Sequence, residues 1–149
     1  MKKIIYNSRL AKLATCIGTC DTITLGPWIF TEGAEISQTT KNHESTHAAQ
    51  WVELTLIAGL LVMFAVWALN APLWSFLLSP VAFYAIYLAE WFIRFIWALP
   101  IERFDFLKAK EHAYLAISFE QEANAGERDN TYNENRDYFA SFKFWRVWK

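Results

Sequence analysis

Residues 51–99 carry only three charges, Glu53, Glu90 and Arg94. This stretch limits what the chain can fold into more than any other. Its first part, WVELTLIAGLLVMFAVWAL, occupies residues 51–69. As a helix it is about 28 Å long, close to the thickness of a bilayer's hydrocarbon core, about 30 Å. NAP at 70–72 breaks it. The next run, LWSFLLSPVAFYAIYLAEWFIRFIWAL, exceeds a minimal span, and Pro80 is expected to kink it. Both runs are apolar around the whole circumference, which favours a transmembrane hairpin over the core of a soluble bundle. Glu90 and Arg94 stand one turn apart in the favourable order. They are expected to pair near the interface, flanked by Trp91 and Trp97 as belt residues.

The segments on either side are polar and mixed in charge. A formal net charge of −1 gives no reason to expect a nucleic-acid partner. The loop between the runs has no lysine or arginine. Lys2, Lys3, Arg9, Lys12 and Lys41 precede the first run, and Arg103, Lys108 and Lys110 follow the second. The distribution predicts both termini in the cytoplasm and the loop outside. Residues 1–50 and 100–149 then share a compartment. The N-terminus does not read as a secretion signal, because Asn7, Ser8, Arg9 and Lys12 interrupt any apolar core. Cys16 and Cys20 are too few for a disulfide framework and read as structural. The length fits one domain, 1–149, made of an N-terminal part (1–50), a helical hairpin (51–99) and a C-terminal part (100–149).

In the N-terminal part, TITL and WIF read as a strand pair, and EG after them offers a turn before AEIS. Pro27 suggests an edge or bulge position. A helix is predicted to start near Thr39 or Thr40 and to run without a breaker into the apolar segment. The fold expected is therefore mainly α, with a small N-terminal β-hairpin and a two-helix transmembrane hairpin. After Pro100, IERFDFLKAKEHAYLAISFEQEANAG predicts one helix or two abutting ones. The aromatic-basic end reads as an interfacial anchor or a packed helix.

NHESTHAAQW, residues 42–51, holds two of the three histidines. On a helix His43 and His47 project from one face, one turn apart, a spacing that lets two imidazoles bind one tetrahedral ion such as zinc. Glu44 stands where a carboxylate can take a proton from the attacking water and pass it to a leaving amine. Gln50 shares the face and can orient a ligand. The motif alone arises by chance on the order of once in a few hundred chains of this size. A polar helix end at a membrane surface is the plainer reading.

A third ligand must come from elsewhere. His112, Glu111, Glu120 and Glu122 are the candidates. Glu120 and Asn124, in FEQEAN, share a helical face, so the glutamate can bind the ion while Asn124 orients a ligand histidine. Glu122 points about 200° away from Glu120 and reads as a solvated charge. His112 reads as structural. His112, Tyr114 and Tyr132 are candidates for stabilising an oxyanion.

These residues resemble the gluzincin side of the zincin metallopeptidases. In that family HExxH supplies two ligands and the base, and a downstream E-x-x-x-D or E-x-E-A-N/D helix supplies the third ligand. The resemblance implies zinc on His43, His47 and Glu120, with Glu44 as base. Asn124 departs from the aspartate that many members have there. The chain also resembles short bacterial membrane proteins that combine ITLGPxIF, NHExxHxxQ, an apolar hairpin and SFExEA. The gluzincin resemblance together with the apolar hairpin implies a zinc metallopeptidase of the bacterial inner membrane, acting on a peptide near the cytoplasmic face. The strand before the HExxH helix would hold extended substrate. A non-catalytic membrane protein or partner-binding module with a structural or vestigial metal site is the competing reading. A di-iron oxidase is disfavoured because no second E-x-x-H is present.

Overall fold

The computed structural model describes residues 3–15 and 21–145. Cys16, Cys20 and the last four residues of the aromatic-basic end lie outside them. The chain is mainly helical, with one small sheet. It divides into two compact units. One comprises Met1–Val52 and Ala123–Tyr138; the other comprises Glu53–Glu122 and Phe139–Lys149.

The first unit contains the sheet, in the order β1-β3-β2. β2 (Thr22–Leu25) and β3 (Trp28–Thr31) are the expected strand pair, antiparallel and in register from Thr22↔Thr31 to Leu25↔Trp28. The strands are joined at Gly26 and Pro27, and the chain bends at Glu32–Ala34, where EG was expected to turn it before AEIS. Gly26 has φ +62°, which glycine adopts without strain. Pro27 in the turn leaves β3 intact as the central strand. A third strand, β1 (Lys3–Ile5), pairs in parallel with β3 and was not expected. Three residues are too few to show an alternation.

α1 (Arg9–Thr15) returns the chain across the sheet, and the Ser8 hydroxyl accepts from the amides of Leu10 and Ala11. α2 (Gln38–Leu69) begins slightly earlier than predicted. Its cap is Ser37, whose Oγ accepts from the Thr40 amide at 3.0 Å. The helix then runs unbroken through HExxH and the apolar run. It ends at Asn70, which takes φ +53°, a conformation asparagine tolerates at helix ends.

The second unit contains most of the apolar sequence. Residues Leu73–Val81 form a 3₁₀ helix rather than a kinked α-helix. Pro80 has no N–H for an α-type bond and its ring obstructs one, so the preceding turn stays tight. α3 (Ala82–Ile101) follows and continues through Pro100. Asp105 caps α4 (Phe106–Ala116), accepting from the amides of Leu107 and Lys108 at 3.2 Å each. The Lys108 amide is the main cause of a carboxyl held below its ordinary range. Ile117 separates α4 from α5 (Ser118–Gly126), giving the two abutting helices.

α2, and the 3₁₀ segment joined to α3, are each long and apolar enough to cross a membrane. Only 11% and 17% of their most apolar windows are buried within the protein. Of the charges in the apolar stretch, Glu53 accepts from the Phe139 amide, where a short 3₁₀ turn (Ala140–Lys143) begins. Glu90 and Arg94 pair as expected, with Arg94 Nε and Nη2 at 2.8 and 2.6 Å from Glu90 Oε1.

Candidate metal centre

The two histidines meet as the helical spacing predicts. His43 and His47 lie on α2, with ring centroids 4.8 Å apart and planes crossed at 79°. Their Nε2 atoms are 3.1 Å apart. Two imidazole nitrogens on one tetrahedral zinc, at about 2.0–2.1 Å each, stand about 3.3 Å apart.

The far side of each ring decides what these nitrogens present. His47 Nδ1 lies 2.9 Å from Gln50 Oε1. A carboxamide oxygen only accepts, so this Nδ1 carries the proton and Nε2 directs a lone pair toward His43. Gln50 is thus the orienting residue that its helical position suggested, and it is almost fully buried. His43 Nδ1 faces Glu127 Oε2 at 3.5 Å. A carboxylate there favours the same tautomer in His43. Two lone pairs cannot face each other at 3.1 Å, so a proton or a cation must lie between them.

Glu44 is buried on the same helix. The Thr24 hydroxyl, on β2, donates to its Oε2 at 2.6 Å. The same hydroxyl lies 3.1 Å from the Glu44 carbonyl oxygen, so one strand side chain fixes both the carboxylate and the helix turn bearing it. Glu44 also borders a groove of about 560 Å³ between the strand ends and the α2 entry, lined by Thr22, Thr31, Ile36 and Thr40 among others.

The chain near Glu127 is anchored to α2. Asn42 Nδ2 donates to the Glu127 carbonyl and to Asn130 Oδ1, each at 2.9 Å. Asn133 Nδ2 returns a bond to the Asn42 carbonyl at 3.2 Å. Gly126 permits this path, because a Cβ there would fall 2.3 Å from the Tyr132 ring. Asp129, at the entry to α6 (Tyr132–Asn135), is held below the usual carboxylate range by hydrogen bonds from the Thr131 hydroxyl and amide.

Glu120 lies in the first turn of α5 and is 3% exposed. The Tyr87 hydroxyl, on α3, donates to its Oε1 at 2.7 Å. The start of α5 is itself held by α3: Glu90 accepts from the Ser118 amide at 2.9 Å and from the Ser118 hydroxyl at 2.6 Å. Phe119 packs against Phe83 and stacks on Tyr87. His43 and His47 in the first unit and Glu120 in the second are the His-His-Glu donor set, of the types that could hold a metal ion. Two imidazoles and a carboxylate are a donor set suited to zinc.

Two expectations change and a third stands. Glu122 is fully buried rather than solvated. Asn124 is exposed, so it is not the group that orients a histidine; Gln50 does that for His47. His112 pairs with Glu102, Nδ1 to Oε1 at 2.9 Å, consistent with a structural role. Thr24, Tyr87 and Glu127 went unnoticed in the sequence. Tyr87 had a signal: it shares a helical face with Phe83, Glu90 and Arg94 in an otherwise apolar run, and polar groups so placed mark the protein-facing side. Thr24 and Glu127 had none, since their contacts are long-range. No protein family, curated protein or solved structure matches the chain.

Proposed function

We propose that the protein is a membrane-anchored zinc metallopeptidase that hydrolyses a peptide bond near the cytoplasmic membrane face. His43, His47 and Glu120 would hold the metal. The observation that carries this reading is the 3.1 Å approach of the two Nε2 atoms, with Gln50 and Glu127 on the far sides of the rings. When bound, zinc supplies Lewis acidity, polarising a carbonyl and lowering the pKa of water to about 7. Glu44 would accept the proton of the attacking water and return it to the departing amine. Thr24 would hold the carboxylate in position for both transfers. The groove beside Glu44 is within the size range of ligand sites. Gluzincin-like spacing supports the same assignment of roles.

The membrane part of the reading rests on the two long apolar helices and on how little of them the protein itself covers. A soluble bundle would bury them. The lysine and arginine distribution supports a cytoplasmic site for both termini.

One observation favours a second reading, a non-catalytic module with a structural metal: Glu44 Oε2 is already engaged by Thr24. Glu44→Gln separates the two. Purified in detergent and supplied with zinc, this variant should keep the metal content of the wild type and lose cleavage of lipid-anchored test peptides. A variant that binds zinc and retains full biological activity would establish the second reading instead.

A further inference from the structure

We infer that the β2–β3 turn, residues 25–28, is a second membrane contact, seated among lipid headgroups beside the point where α2 enters the hydrocarbon. The inference rests on the membrane reading above and adds to it a surface outside the helical hairpin.

The turn is apolar where a soluble hairpin tip would be polar. TITLGPWIFT, residues 22–31, contains no charged side chain. Leu25 and Trp28 are a directly opposed pair across the two strands, so their side chains stand together on one face of the ribbon. They are 39% and 49% exposed. Tryptophan with one face packed and the other open is the side chain most at home at a membrane–water boundary.

Position along α2 identifies the occupant. A Cβ on Gly26 would lie 3.5 Å from the Trp51 indole, so the turn rests on that ring. Trp51 is the first residue of the apolar run, and Val52 beside it is 40% exposed. Two residues back along β2, Thr24 bonds Glu44. Two tie points in the same order on strand and helix show that β2 runs alongside α2 toward its apolar part. The other end of the strand pair is polar: Asp21 and Glu32 sit there, joined by the Glu32 amide donating to the Asp21 carbonyl at 2.9 Å. Asp21 is four residues from the turn, or about 13 Å along a strand. Sheet and helix therefore change from polar to apolar in the same direction and at the same level. A lipid surface meets both at once, whereas a protein partner would have to cover the turn and leave the adjoining helix to lipid.

The consequence for the site follows from helix rise. His47 is one turn before Trp51 and His43 two turns before it, about 6 and 12 Å along the axis. With the turn pinned at the surface, the histidine pair stands within about 12 Å of the hydrocarbon edge. Peptide segments held against the membrane are then the substrate class within reach.

The test uses the full chain with Cys16 and Cys20 replaced by serine, reconstituted into phosphatidylcholine–phosphatidylglycerol vesicles. Single nitroxides are placed by Trp28→Cys, Glu35→Cys and Met63→Cys, with Leu25→Cys as a second tip variant should Trp28→Cys fail to fold. Power saturation with oxygen and with a water-soluble nickel chelate gives depth. Position 63 should be deep, position 35 aqueous, and position 28 or 25 at headgroup depth, with an oxygen-to-nickel ratio several-fold above that of position 35. A tip label as aqueous as position 35, with position 63 deep, overturns the inference and leaves the membrane reading standing. A tip shielded from both reagents points to a protein cover and also overturns it. Aqueous labels at both 28 and 63 overturn the membrane reading and the inference together.

Discussion

At the scale of single residues, Gln50 shows how His47, a candidate metal ligand, acquires its tautomer. The side chain lies three residues after His47 on the same helix, buried, with its oxygen on Nδ1. Groups in this position typically change metal affinity by about 10–100-fold when removed. Gln50→Ala should weaken zinc binding by that factor in a competition titration against a chromogenic chelator, while Asn124→Ala, at an exposed position, should leave the affinity unchanged. The sequence made Gln50 legible because helical spacing alone brings it to the histidine face. It misled at Asn124 and Glu122 for the converse reason. Spacing along α5 says which residues share a face, but the rotation of that helix depends on the Glu90–Ser118 bonds and on Phe119 packing against Phe83 and Tyr87. None of those contacts is local. Thr24 and Glu127 were illegible in the same way.

At the scale of elements, α3 does more than extend a run long and apolar enough to cross a membrane. One face carries Phe83, Tyr87, Glu90 and Arg94 in helical register, and Glu90 is satisfied on both oxygens by Arg94 and Ser118. Both members of the ion pair are buried. Removing one leaves the other charge without its counter-ion, which costs about 3–5 kcal/mol, whereas replacing both by apolar groups costs far less. Thermal melts in detergent should therefore rank Glu90→Ala well below wild type and place Glu90→Ala/Arg94→Leu above the single variant. A double variant melting no higher than the single one would mean that the pair is not what the helix relies on. The extent of α2 was legible because no breaker interrupts it before Asn70. The 3₁₀ segment before α3 was not, since apolar residues in tight and ordinary helices look alike in sequence. β1 was too short to signal itself.

At the scale of the whole molecule, two long apolar helices joined by a short loop place both ends of the chain on one side of any bilayer they cross. The charge distribution supports the proposal that this side is the cytoplasm. In cells carrying the chain with Cys16 and Cys20 replaced, an impermeant maleimide added from outside should label Asn70→Cys but not Glu35→Cys or Glu134→Cys. Labelling at 35 or 134 with 70 protected would invert the topology.

The central claim is that His43, His47 and Glu120 hold one zinc ion. Metal content per chain, measured on protein purified without chelator and then offered zinc, tests it most directly. Glu120→Gln and Glu122→Gln are near-isosteric, so each spares the packing of a buried glutamate while removing its charge. The account predicts one zinc per chain in the wild type and in Glu122→Gln, and marked loss in His43→Ala, His47→Ala and Glu120→Gln. A wild-type protein that neither contains zinc nor takes it up would contradict the account, and the close approach of the two histidines would then be bridged by a proton.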